Sequence, residues 1–296
     1  MVQTKKIHKK MKLKTITFTG IDDRTDIKAL QRIQHYFPIA EFGVLMSRNW
    51  DKNGNRFMRP SRIRYLEGKG LRLSAHLCGQ IAIDAARNDW YGPTWITQGG
   101  FSKIFRRCQL NIANADPNMH TFTDGMLPVE ELIVQANSTS NEDLRLWKSI
   151  RGGKLVDEVT VLIDPSGGKG LQRETDILSS PHKVGYAGGI NAGNIREKIM
   201  ELERDPGVGD YWLDMESGVR TDDWFDVDKV TEVLDEYLKT KAEIEAQNMV
   251  TKCIVCEKEF RTNQNEKICP ECHVNIEFEK EMQRMISWTR REIFTK

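Results

Sequence analysis

From Lys14 to about Ala246 the chain switches repeatedly between two patterns of apolar residues. Short runs alternate apolar and polar positions, as in strands whose side chains point to opposite faces in turn. Longer stretches repeat apolar positions every three or four residues, as in helices with one buried stripe. Strands are expected near 14–19, 41–47, 71–78, 107–112, 131–137, 158–164, 183–188 and 211–217, and helices near 27–36, 61–67, 80–88, 142–149, 192–204 and 227–246. Segments 89–106 and 113–130 are rich in Gly, Pro, Asn and Asp and read as long loops. Strands alternating with helices build a parallel sheet with crossover helices, and eight strands are enough to close it. The expected fold class is α/β, a (β/α)8 TIM barrel.

Residues two apart on a strand share a face. Thr15, Thr17 and Thr19 do so on the first strand, His76 and Cys78 on the third, Gln109 and Asn111 on the fourth, and Gln135 and Asn137 on the fifth. On the sixth, Thr160 and Leu162 lead to Asp164; on the eighth, Trp212, Asp214 and Glu216 line up. If these faces point inward, the C-terminal mouth carries a ring of polar groups that an apolar core does not need. Each unpaired buried polar group costs about 1–3 kcal/mol, so water, one another or a ligand must satisfy them. Their common position at one end favours a ligand. Three strand ends also carry glycine: Ile163 to Gly170 (I-D-P-S-G-G-K-G), Ala187 to Asn191 (A-G-G-I-N) and Glu216 to Arg220 (E-S-G-V-R). Glycine lets main-chain N–H groups approach an anion closely. Gly188, Gly189, Ser217 and Gly218, with a helix starting near Asn191, are therefore the expected phosphate cup.

Length and charge bound the rest. The chain has 296 residues, enough for a barrel of roughly 250 residues plus a small appendix. The expected division is a basic arm (1–13), a phosphate-binding barrel (14–248) and a C-terminal appendix ending in a helix from Glu277 to Thr295 (249–296), with a hinge at Asn248-Met249. A net charge of +1 gives no global pull on nucleic acid, although Lys5, Lys6, Lys9, Lys10, Lys12 and Lys14 concentrate charge in the arm. No apolar run is long enough to span a bilayer and no signal peptide is apparent, so a cytoplasmic location without membrane association is expected.

The motifs named above resemble phosphoribosylanthranilate isomerase, a phosphoribosyl-binding barrel, over about Thr17 to Leu238. D-P-S-G-G-K-G, A-G-G-I-N-A-G-N-I and D-M-E-S-G-V-R are similar to family motifs in order and spacing. Gln109 to Asn111 (Q-L-N) resembles the family's Q-L-H-G, and Asn55 to Pro60 (N-R-F-M-R-P) its P-R-Y-V-S-P. The family reaction is an Amadori rearrangement, in which an aspartate opens the ribose ring and a cysteine removes the neighbouring carbon's proton. The resemblance implies Asp164 as general acid and Arg56 as a residue holding the anionic or ring portion of the substrate. Gln109, Asn111, Gln135 and Asp214 complete the expected substrate pocket. The family's C-G-I-T appears here as Thr19-Gly20-Ile21-Asp22, with threonine in the cysteine's place. A hydroxyl is a very poor base beside a thiolate. Cys78, His76 or Asp22 could supply the base; the chemistry could need only the acid; or catalysis could be gone, leaving a protein that sequesters a nucleotide or phosphosugar.

Cys253 and Cys256 are two residues apart, as are Cys269 and Cys272, with twelve residues between the pairs. Two such knuckles hold four thiolates around one zinc at about 2.3 Å. The expected cofactor is thus a structural zinc, with no organic cofactor. An iron site of the same spacing is the minor alternative. The ribbon could cap the barrel or contact protein or nucleic acid, which leaves a nucleic-acid-modifying enzyme as a further alternative. The expected partner is a phosphorylated small molecule, and the chain is expected to be a monomer or homodimer.

Overall fold

The structure, a computed structural model, describes residues 11–52, 54–86, 98–112, 129–140, 143–144, 158–166, 177–178, 180, 182–254 and 283. Lys12–Val233 forms one compact unit, and the remainder of the chain a second. Eight strands of the first unit hydrogen-bond in sequence order into a closed barrel, and every pair is parallel. They are β1 (Leu13–Thr19), β2 (Ala40–Met46), β3 (Leu73–Cys78), β4 (Arg107–Asn111), β5 (Glu131–Ala136), β6 (Glu158–Ile163), β7 (Val184–Tyr186) and β8 (Tyr211–Met215). The pairing of β8 with β1 closes the ring. The chain is a (β/α)8 barrel.

Helices α1 (Ile27–Tyr36), α2 (Pro60–Tyr65), α3 (Gln80–Ala86), α4 (Gln98–Ile104) and α5 (Ile195–Arg204) lie between the strands. Helix α1 illustrates how the sequence sets these elements. Asp26 caps its start by accepting the Lys28 N–H at 2.8 Å, and Ile27, Leu30 and Ile33 bury one stripe. Two expectations change. Segment 89–106 contains α4, because Phe101 and Ile104 stand three apart and are buried, with the Phe105 ring 4.9 Å from that of Phe101. Its Gly-Gly start hid that spacing. The helix expected over 227–246 is α6 (Val227–Ile254), which passes Asn248 and Met249 in helical conformation. Most of the helix expected over 142–149, and residues 113–128, lie outside the described residues. Among the described residues no helix is long and apolar enough to cross a membrane.

The two faces of the strands divide the work. One set, including Phe18, Phe42, Leu110, Val161 and Leu213, is fully buried and apolar. The other set, threonines and charged residues among them, meets inside the barrel. At the N-terminal end of that interior Arg107 donates to Glu131 through Nε (2.9 Å) and Nη2 (3.0 Å) and to Glu41 through Nη1 (2.7 Å). Lys183 and Thr160 also donate to Glu131, and Thr17 donates to Glu41. Buried charges survive when paired and hydrogen-bonded in this way. Above this plug Trp212 fills the barrel, packed with Ile133, Leu162 and Ala187 and with the Arg107 guanidinium 4.6 Å from its ring. Gly185 makes the room: a Cβ there would stand 2.2 Å from Trp212 Cε2. The plug and Trp212 fill the barrel below, and the polar ring above them faces the C-terminal mouth.

Candidate active site

The mouth holds a cavity to which most of the barrel strands contribute. From the first four come Thr19, His76, Gln109 and Asn111; from the later ones come Gln135, Asp164 and Asp214; Arg56 reaches in from the loop after β2. The β7 and β8 ends add Gly188, Gly189 and Ser217. These residues, picked from strand alternation, glycine-bearing ends or the family likeness, line one space. Cys78 and Gly218 do not line it, and Asn137 lies just beyond the end of β5.

Asp214 sits at the centre. Its carboxyl is almost fully buried; Oδ1 accepts the Thr19 hydroxyl at 2.6 Å, and Oδ2 lies 3.9 Å from His76 Nδ1. Burial pushes the group up to about 7, against the lowering effect of the Thr19 hydrogen bond; Glu216 and Asp164 add to the rise. Gly43 on β2 is what lets these side chains meet, since a Cβ there would fall 2.5 Å from Thr19 Oγ1 and 2.9 Å from His76 Nε2. Thr19 thus serves as a donor that orients a carboxyl group.

The alternative bases fare differently. Burial, with the charge of Arg107, pushes His76 down to about 3, so the ring is neutral; its Nε2 pairs with Ser74 Oγ at 3.0 Å. Burial pushes Cys78 up to about 12, so the thiol keeps its proton, which Sγ directs to the His76 carbonyl. Asp22 is fully buried away from the cavity, where it accepts the Phe225 N–H at 2.6 Å and the Thr25 hydroxyl at 3.0 Å. Burial thus leaves His76 a weak base and keeps the Cys78 thiol protonated, while Asp22 does not line the cavity.

Asp164 follows β6. Its Oδ1 accepts both the main-chain N–H (3.0 Å) and the hydroxyl (2.6 Å) of Ser166, while Oδ2 accepts Gln135 Nε2 at 2.9 Å. The local D-x-S turn and a neighbouring strand therefore hold the carboxyl toward the mouth. Ser166 was not singled out in the sequence, although an aspartate two residues before a serine is the signal for such a turn. Residues 167–170 of this motif lie outside the described residues.

Arg56 donates to Glu216 Oε1 and to Asp223 Oδ1, each at 2.8 Å. Its guanidinium is thus already engaged by two carboxylates. Glu216 lines the cavity as its alternation with Asp214 implies, and burial pushes it up despite Arg56 and Arg220. Asp223 belongs to a tight turn between β9 (Arg220–Thr221) and β10 (Trp224–Phe225).

The glycine rim has the features of an anion cup. Gly188 and Gly189 have φ of +104° and +68°, conformations that side chains resist. The Gly189 carbonyl is drawn away by the amides of Asn191 (3.1 Å) and Asn194 (2.9 Å). Among the described residues no hydrogen bond claims the N–H groups of Gly188, Gly189, Ser217 or Gly218. Gly218 lets the two ends close up, for its Cβ would stand 2.1 Å from the Ile190 carbonyl oxygen. The expected helix start near Asn191 moves: α5 begins at Ile195, after a turn built by Asn191 and Asn194.

No family model and no curated protein matches the chain. Among solved structures it is similar to N-(5′-phosphoribosyl)anthranilate isomerase from Pyrococcus furiosus, at 17% identity over 75% of this chain and 97% of that one, with a TM-score of 0.47. It is likewise similar to phosphoribosyl anthranilate isomerase from Thermococcus kodakaraensis, at 15% identity over 76% and 99%, with a TM-score of 0.47.

Of the cysteine cluster, Cys253 falls in the last turn of α6, while Cys256, Cys269 and Cys272 lie outside the described residues. Among the described residues no group of three His, Cys, Asp or Glu could hold a metal ion.

Proposed function

We propose that the barrel is an isomerase-type enzyme acting on a phosphoribosyl small molecule, with Asp164 as general acid and Asp214 as base. The observation that carries this is Asp214: a buried carboxyl, held by Thr19 and pushed up to about 7 by burial, facing the same cavity as a second carboxyl and a glycine rim. A base is most useful when its pKa lies near the working pH, and burial moves Asp214 toward that range.

In this scheme the rim N–H groups of Gly188, Gly189, Ser217 and Gly218 bind the 5′-phosphate. Asp164, held by Ser166 and Gln135, gives a proton to the ribose ring oxygen. The C1–O bond breaks and the nitrogen lone pair forms C1=N. Asp214, held by Thr19, takes the C2 proton, and those electrons pass to C1 and on to nitrogen. Loss of the C2 hydroxyl proton and protonation at C1 complete the ketone. The C-terminal segment enters the proposal through its sequence alone: Cys253, Cys256, Cys269 and Cys272 would hold a structural zinc.

The test mixes ribose 5-phosphate with a panel of arylamines, which form N-phosphoribosylamines spontaneously, and follows the ketose products by chromatography. Conversion of at least one member is expected, and its loss in Asp164→Asn and in Asp214→Asn. Calorimetry should show both variants still binding ribose 5-phosphate, and Gly188→Ala binding it more weakly. Ribose 5-phosphate bound no better than ribose, with no member converted, would overturn the proposal.

A further inference from the structure

The polar groups around the cavity are unevenly divided between donors and acceptors. Three linked hydrogen bonds set one of them. The Cys78 thiol donates to the His76 carbonyl (3.6 Å), so its sulfur is free to accept Asn111 Nδ2 (3.4 Å). That turns Asn111 Oδ1 toward Gln109 Nε2 (2.7 Å) and leaves Gln109 Oε1 as the end of the chain. Gln109 is 3% exposed and lines the cavity, yet its Oε1 is buried with no hydrogen-bond partner among the described residues. An orphaned buried acceptor costs about 1–3 kcal/mol unless something donates to it.

The charged groups point the same way. Asp164, Asp214 and Glu216 all line the cavity. Among the described lining residues Arg56 is the one cation, and its two terminal nitrogens are engaged by Glu216 and Asp223. The Gln135 amide is likewise spent on Asp164. Among the described residues beyond the glycine rim, a ligand therefore meets carboxyl groups and an unpaired acceptor.

We propose, building on the phosphoribosyl assignment above, that the group attached to the sugar is uncharged or cationic and rich in N–H donors, and that Gln109 Oε1 recognises it. An acidic aglycone would face three carboxyl groups and, among the described lining residues, no free cation to meet it, and would leave Gln109 Oε1 unpaired. Cys78 is then a positioning residue that sets the Asn111 and Gln109 amides.

Two stable product analogues test this, 1-phenylamino-1-deoxyribulose 5-phosphates carrying either an ortho carboxamide or an ortho carboxylate, with ribose 5-phosphate as reference. Titration calorimetry on the full chain should give about tenfold or more tighter binding of the carboxamide than the carboxylate. Gln109→Met should weaken the carboxamide about tenfold and leave ribose 5-phosphate unchanged. Glu216→Gln should narrow the preference by improving the carboxylate, which keeps the test decisive should Gln109→Met fail to fold. Equal or tighter binding of the carboxylate by the unaltered protein overturns the inference while the phosphoribosyl assignment stands. Failure of all three compounds to bind overturns both.

Discussion

Asp214→Asn separates what this carboxyl does for catalysis from what it does to stability. The amide keeps the shape and the oxygen that accepts Thr19, and removes only the ionisation. In the folded protein Asp214 holds its proton up to about pH 7, whereas its ordinary value is 3.8. Between those values the folded state binds a proton that the unfolded chain has lost. The stability tied to this group is therefore complete below about pH 4 and is lost as pH rises toward 7. At about 1.4 kcal/mol per tenfold change in proton affinity, the loss amounts to about 4 kcal/mol. His76 works in the opposite sense. Held down to about 3, it contributes stability that is present above its ordinary value of 6.5 and is lost as pH falls toward 3. Comparing variant with wild type at each pH cancels that contribution. Urea unfolding followed by tryptophan fluorescence at pH 4.5, 6, 7 and 8.5 should show the Asn variant gaining about 1.4 kcal/mol on wild type per pH unit up to 7, then levelling. A difference that stays flat across the range would mean that Asp214 ionises at its ordinary value, and its role as a near-neutral base would fall with it.

Gly185→Ala should destabilise the barrel by about 1–3 kcal/mol, a fall in Tm of about 5 °C, because the new Cβ meets the Trp212 ring and Leu162 Cδ1 (2.7 Å); an unchanged melt would show that this space is not filled. Arg107→Met should cost about 3–5 kcal/mol at pH 8 by taking the guanidinium from Glu41 and leaving Glu131 with Lys183 as its one cation among the described residues. Glu131, raised by burial but lowered more by Arg107 and Lys183, lies below its usual range, so the gap between variant and wild type should shrink as pH falls and Glu131 protonates. Elemental analysis should find one zinc per chain, lost in Cys269→Ser with Cys272→Ser, and ribose 5-phosphate binding should survive that loss; a metal-free wild-type protein would refute the zinc assignment.

Much of the barrel was legible in the chain because the signals involved are local. Alternation with a period of two assigns each strand residue to a face, and the turn residues after a strand mark which end is which. Together they suffice to bring Thr19, Gln109, Gln135, Asp164 and Asp214 to one mouth. Helix α4 carries little sequence signal because its buried stripe is only Phe101 and Ile104 behind two glycines, too short for a period to register. The raised proton affinity of Asp214 has a different cause. The proton affinity of a carboxyl depends on how much water surrounds it and which charges face it, and those come from β1, β3, β6 and β8, far apart in the sequence. For the same reason the motif around Arg56 could suggest a substrate-binding arginine but not that Glu216 and Asp223 would engage it across more than 150 positions of chain. Sequence periodicity determined that there would be a barrel and which residues would line its mouth. Only the closing of β8 onto β1 decided which of those residues could exchange a proton near neutral pH, since burial and neighbouring charge exist only once the ring is shut.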